Sequence, residues 1–301
     1  MKLNILGCYS ATPRTLTNPT AQLLEIKNHL FLIDCGEGTQ VQLRKSKLKF
    51  SRVRHIFISH LHGDHFFGLP GLISTFRLLG REAELHIYGP KGIKEAITLL
   101  LKLGDSWTNF PLLFHELESK EQETLFEDDN VIVQTIPLDH RVYTNGFLFS
   151  EKPAPRNLNI KVIQKLKIDR SQFNNIKMGK DVIMDDGTKI LNSALTFDPP
   201  QTKSYAFCSD TAYNEQLIPM IKGVDALYHE STFLDSEHHL TTKTKHCTAK
   251  QAATIAKKAE VGCLILGHYS TRYKSIELFK EEAVTVFDKV ELAEDGKTFE
   301  F

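Results

Sequence analysis

Two kinds of apolar pattern alternate along this chain. Residues 3–7, 21–26, 29–34, 55–59, 85–89, 130–136 and 146–150 are short runs rich in β-branched and aromatic residues, bounded by polar turns, and they predict strands. Residues 38–47, 69–79 and 91–103 show the wider helical period, and the last of these stops at Gly104, as helices often do. The second half repeats the style, with strands predicted at 204–210, 226–231 and 263–268 and helices at 248–259 and 275–287. In the last helix Ile276, Phe279, Ala283 and Phe287 fall on one face, a stripe suited to packing on a sheet. Strand clusters flanked by helices in both halves predict an α/β chain folded as one domain over 1–301, with two sheets inside and helices outside. That is a four-layer αββα sandwich.

One stretch breaks the rhythm. Residues 152–180 carry eight basic side chains (Lys152, Arg156, Lys161, Lys165, Lys167, Arg170, Lys177, Lys180) against the single acid Asp169. Such a run is either a solvated surface or a protruding arm that docks on phosphates. Over the whole chain Lys+Arg and Asp+Glu balance at 37 each, so a polyanionic partner would have to be met by local patches. The five cysteines are scattered and include no C-x-x-C pair, which argues against a disulfide framework and a thiolate zinc finger. No apolar run reaches membrane-spanning length, and the amino-terminal segment lacks a secretory apolar region. These features point to a cytoplasmic enzyme.

The chemistry is concentrated in Ser59-His60-Leu61-His62-Gly63-Asp64-His65, directly after a predicted strand. Three imidazoles and a carboxylate leaving a strand end supply nitrogen and oxygen donors suited to zinc, with manganese or iron as alternatives. His60 and His62 share a direction on an extended backbone because side chains repeat every second residue. One loop cannot fill two metal positions, so further ligands must come from other strand ends. His140, Asp210 and His268 each follow an apolar β run and are the candidates. Taken singly, each could instead be a hydrogen-bonded histidine or a turn-capping aspartate.

This order of ligands resembles the metallo-β-lactamase superfamily. Five local features make the chain similar to ribonuclease Z in particular: Asp34–Gln40, Ser59–His65 with Gly68-Leu69-Pro70-Gly71-Leu72, Tyr88–Gly92, His229-Glu230-Ser231-Thr232-Phe233, and His246-Cys247-Thr248 before a helix. The resemblance implies two zinc ions, one held by His60, His62 and His140, the other by Asp64, His65 and His268, with Asp210 bridging. It makes Asp34 a carboxylate that orients ligating histidines, although a helix cap is its plainer role. Asp64 would also steer the attacking water, and Glu230 with His246 would form an acid–base pair that protonates the leaving oxygen. The implied reaction is cleavage of precursor tRNA at its 3′ end, leaving a 3′-hydroxyl on the tRNA and a 5′-phosphate on the trailer.

The same resemblance implies a homodimer and a tRNA-gripping arm over 151–190, with Lys161, Lys165, Lys167, Lys177 and Lys180 on phosphates. The sequence departs from the family twice. Ile168–Phe173 stands where a Gly-Pro turn is expected at the arm tip, and Thr12–Asn18 carries Arg14 instead of the lysine of a P-x-K-like motif. The competing readings are a small-molecule hydrolase of the same fold, such as a phosphodiesterase, arylsulfatase or lactonase, and a metal-free RNA-binding relative. Ligand types at every position argue against the second.

Overall fold

A computed structural model describes residues 1–12 and 14–301; Pro13, within the Thr12–Asn18 stretch of the sequence, lies outside the described residues. The apolar runs build two seven-stranded sheets. The first contains β1 (Lys2–Gly7), β2 (Ala21–Ile26), β3 (His29–Ile33), β4 (His55–Phe57), β5 (Leu85–Pro90) and β6 (Leu112–Leu117). The second contains β7 (Thr124–Glu127), β8 (Val131–Pro137), β9 (Asn145–Glu151), β10 (Ser204–Cys208), β11 (Ala226–Glu230), β12 (Leu264–Gly267) and β13 (Val290–Leu292). A last strand, β14 (Thr298–Glu300), returns to pair antiparallel with β1. The orders are β14-β1-β2-β3-β4-β5-β6 and β13-β12-β11-β10-β9-β8-β7.

Strands β3 to β6 run parallel, and so do β10 to β13. Parallel neighbours need long crossovers, which helices supply. In the first half these are α1 (Thr39–Lys45), the single turn α2 (Gly63–Phe66), α3 (Leu69–Leu78) and α4 (Ile93–Leu103); in the second, α5 (Ala249–Lys258) and α6 (Glu277–Ala283). Side chains alternate faces: in β3, Phe31 and Ile33 enter the core between the sheets, whereas Leu30 and Leu32 pack toward the helices with Leu43, Ile73 and Ile97. Burial on both faces is why these strands read as continuous apolar runs.

The helix expected over 275–287 is shorter. It ends at Ala283, where Val284, Thr285 and Val286 bring a β-branched run that helices disfavour. Phe279 and Ala283 are still buried, and Ile276 and Phe287 pack on the same core from outside the helix. The edge strands β6 and β7 were not expected: their apolar runs, Leu112-Leu113-Phe114 and Leu125-Phe126, are short, and of their residues Leu117 alone is buried.

Residues Glu151–Thr202 form a second compact unit. Its small core is Ile163, Ile168, Ile176, Val182 and Leu195. Helices Ile160–Lys165 and Phe173–Lys177 carry Lys161, Lys165 and Lys177, and these three are exposed, as are Lys167 and Lys180 just beyond the helix ends. In place of a Gly-Pro turn, Asp169 accepts a hydrogen bond from the Ser171 amide at 2.8 Å and starts a 3-10 turn, while Ile168 is buried. Two cations of this unit are neutralised locally, Arg156 by Asp198 at 2.6 Å and Lys189 by Asp181 at 2.9 Å.

Candidate metal centre

Strand ends deliver the site. Asp34 follows β3, Ser59–His65 follows β4, His140 follows β8, Asp210 follows β10, Glu230 closes β11 and His268 follows β12. Asp34, Asp210 and His268 have positive φ values of 54°, 61° and 58°. Such left-handed conformations cost a non-glycine residue on the order of 1 kcal/mol or more, and concentrate where surroundings impose them at functional sites. The β3 and β4 loops lock together: the Cys35 amide donates to the His65 carbonyl at 2.7 Å and the Gly68 amide to the Cys35 carbonyl at 2.9 Å. A Cβ at Gly68 would stand 2.0 Å from the Gly36 carbonyl oxygen, so glycine is required there for close approach.

His60, His62, His140 and Asp210 form one donor cluster. The outer nitrogen of His140, Nδ1, lies 3.0 Å from the Lys245 carbonyl oxygen, which only accepts, so Nδ1 carries the proton and Nε2 presents a lone pair. His60 Nδ1 likewise contacts Ser59 Oγ at 3.0 Å. The inner nitrogens converge: His62 Nδ1 is 2.9 Å from His60 Nε2 and 3.4 Å from His140 Nε2. Burial pushes His60 well below the usual histidine range, with His65 adding to the effect, so it is a neutral donor.

Asp64, His65 and His268 form a second cluster. Asp34 accepts from His65 Nδ1 at 2.6 Å and from the Ser59 amide at 2.7 Å, so it buttresses the loop; it is not a helix cap, since α1 is capped at Gly38. His65 Nε2 and His268 Nε2 are buried and lack any hydrogen-bond partner. Buried orphan nitrogens are costly unless something else satisfies them. Both point toward carboxylates, with Asp210 Oδ1 at 3.4 Å from His65 Nε2 and 3.1 Å from His268 Nε2. A metal cation fits this set of unsatisfied nitrogens and ionised oxygens.

Asp210 joins the clusters. Its Oδ1 faces His65 and His268, and its Oδ2 faces His60 at 3.5 Å and His140 at 3.7 Å. Against the pull of burial, the polar surroundings of the two clusters hold both Asp64 and Asp210 below the usual carboxylate range.

Beside the second cluster, Glu230 is buried and its Oε1 lies 2.7 Å from His246 Nδ1. Burial disfavours the charged imidazole, yet the Glu230 carboxylate overcomes this and raises His246 to about 9. His229 instead turns its Nδ1 to the Glu230 carbonyl and takes no place in the cluster. The cleft in front, about 420 Å³, is lined by Asp64, Asp210, His246 and His268 and also by Arg141 and Arg272. Those two cations were not expected from the sequence, nor were the hydroxyls of Ser59 and Thr232. Adjacency was the only signal, since each stands next to or within four residues of a ligand type. Arg14 lies on the loop after β1, with its guanidinium donating to the Tyr273 carbonyl at 2.9 Å.

Residues 1–292 match the family model described as anti-Pycsar protein Apyc1. Ribonuclease Z of Bacteroides thetaiotaomicron is 46% identical over 295 residues, covering 98% of this chain and 93% of that protein. Ribonuclease Z of Cytophaga hutchinsonii is 48% identical, with 99% and 95% covered. The chain belongs to the ribonuclease Z family. The Apyc1 model and the ribonuclease Z relatives both span nearly the whole chain, so one family assignment covers the body and the 151–202 unit alike. Human tRNase Z, short form, superposes with a TM-score of 0.74 at 28% identity over 100% of this chain and 99% of its own. The metallo-β-lactamase fold protein YhfI of Bacillus subtilis has a TM-score of 0.70 at 18% identity, over 99% and 98%. The αββα architecture is therefore the metallo-β-lactamase fold, seen here in a ribonuclease Z family member. Among the described residues no helix is long and apolar enough to cross a membrane.

Proposed function

We propose that this chain is a zinc-dependent endoribonuclease that cleaves precursor tRNA at its 3′ end, leaving a 3′-hydroxyl on the tRNA and a 5′-phosphate on the trailer. The observation that carries the reading is the meeting of His60, His62, Asp64, His65, His140, Asp210 and His268 in adjoining clusters of a ribonuclease Z family chain. His60, His62 and His140 would hold one ion, Asp64, His65 and His268 the other, and Asp210 both. Mixed imidazole and carboxylate donors favour zinc. A bound pair supplies Lewis acidity and brings the pKa of water toward about 7.

The protein's own groups handle protons and position. Asp64, held ionised, orients the attacking water and takes up its proton. The new bond forms between water oxygen and phosphorus, the bond to the 3′ oxygen breaks, and its electron pair stays on that oxygen. His246 protonates it: Nδ1 is committed to Glu230, which leaves Nε2 as the donor. Arg141 and Arg272 offer cations to flanking phosphates.

Lys161, Lys165, Lys167, Lys177 and Lys180 of the 151–202 unit take backbone phosphates of the tRNA, contacts that position without reading bases. Arg14 adds one more from the loop after β1. The chain works in the cytoplasm as a homodimer, and the exposed Leu78 and Leu79 at the end of α3 and Leu99, Leu100 and Leu103 of α4 offer the apolar surface for its second copy.

The test is stripping with a chelator followed by zinc, manganese or iron add-back, with cleavage of precursor tRNA and of a simple phosphodiester assayed in parallel. Restored cleavage at the tRNA 3′ junction supports the reading. A restored enzyme that hydrolyses the simple diester and leaves precursor tRNA intact would replace it with a small-molecule phosphodiesterase.

A further inference from the structure

Two chains of the same build reach into the donor clusters, each running from carboxylate through hydroxyl to imidazole. In one, Asp34 Oδ2 accepts from Ser59 Oγ at 2.9 Å, and Ser59 Oγ lies 3.0 Å from His60 Nδ1. In the other, Glu230 Oε2 accepts from Thr232 Oγ1 at 2.6 Å, and Thr232 Oγ1 lies 3.0 Å from His268 Nδ1. The second chain leaves Glu230 fully occupied, because its Oε1 takes the Thr211 amide at 3.0 Å and His246 Nδ1 at 2.7 Å.

A hydroxyl has one proton. An ionised carboxylate can only accept, so at 2.6 Å the Thr232 proton belongs on the Glu230 side, and the remaining lone pairs of Oγ1 face His268. His268 Nδ1 must then be the protonated nitrogen, and Nε2, buried and without a hydrogen-bond partner, is left bare toward Asp64 and Asp210. Thr232 is itself fixed, since its amide donates to the same Glu230 oxygen at 3.0 Å.

We propose that Thr232 is a positioning residue: its hydroxyl relays Glu230 to His268, locks that imidazole in the Nε2-donor tautomer, and ties the second metal position to the same carboxylate that holds His246. The inference rests on His268 being a metal ligand. Ser59 plays the matching part for His60. Glu230 thereby carries two tasks with its two oxygens, one toward the proton donor and one toward the ligand.

Zinc affinity separates this role from mere packing. The metal-free full chain is titrated with zinc against a chromophoric chelator, and with cobalt for the visible spectrum, in the wild type and in Thr232→Val, Thr232→Ser and Thr232→Ala. The melting temperature of each metal-free protein is measured alongside. Thr232→Val and Thr232→Ala should weaken one of two zinc equivalents by about 10–100-fold and alter the cobalt spectrum, while Thr232→Ser keeps both wild-type values. Two hydroxyl-free variants of different bulk keep the comparison alive if one folds poorly. Wild-type affinity for both equivalents in either folded variant overturns the relay with the ligand reading intact. A wild type that binds no metal removes the ligand reading, and the relay falls with it.

Discussion

Oε1 of the buried Glu230 lies 2.7 Å from Nδ1 of His246, and that contact sets the charge of the imidazole. Burial opposes the charge, Glu230 prevails, and His246 is raised to about 9. The acid form is therefore present at neutral pH and is lost as pH rises through about 9, so the kcat profile should fall there. In His246→Ala the fall should vanish and kcat drop by about 10²–10⁴-fold with metal content unchanged. A His246→Ala enzyme with bound metal and an undiminished rate would contradict the proton-donor role.

Asp210 presents one oxygen to each cluster, so no other single side chain should matter as much for holding metal. If the wild type binds the two equivalents proposed, Asp210→Ala should bind less than one and lose at least about 10³-fold in rate. Metal analysis after dialysis checks this. Retention of both equivalents would show that the carboxylate does not bridge.

Excision of the 151–202 unit is feasible because Ser150 and Ser204 are antiparallel cross-strand partners, so a two-residue turn can join β9 to β10. The trimmed chain should bind precursor tRNA roughly tenfold or more weakly, with a shallower salt dependence, since lost phosphate contacts reduce counterion release. Its hydrolysis of a small phosphodiester should persist. Equal tRNA affinity with and without the unit would remove it from the binding surface.

Gly68→Ala tests how the metal loop is held. The added methyl would meet the Gly36 carbonyl at 2.0 Å, forcing the β3 and β4 loops apart at a cost of about 1–3 kcal/mol. A lower melting temperature and weaker zinc retention should appear together. A change in stability alone would mean that the two loops are not coupled through this contact.

Far from the cleft, burial, with His86, His29 and His115 alongside, pushes His55 down to about 3. The unfolded chain protonates this residue near about 6.5 whereas the folded one resists, so its stabilising share is complete above that pH and is lost as pH falls below it. Melting temperature should decline between pH 7 and 5, and His55→Phe should flatten the decline. Parallel curves for the two proteins would assign the acid sensitivity to other groups.

The layers and the kind of chemistry were legible in the order of residues. Central strands buried on both faces had to be continuous apolar runs, so β3, β4, β10, β11 and β12 were legible, and the ligand types at their ends announced a metal-directed site. Edge strands β6 and β7 carry no comparable run because few of their positions are buried. Packing in three dimensions settles which oxygen of Asp210 faces which histidine, that Asp34 buttresses His65 instead of capping a helix, and that Ser59 and Thr232 stand behind His60 and His268. Hydroxyls leave no trace in an apolar pattern. Their role comes from direction and distance to His60 and His268, which the packed fold alone imposes.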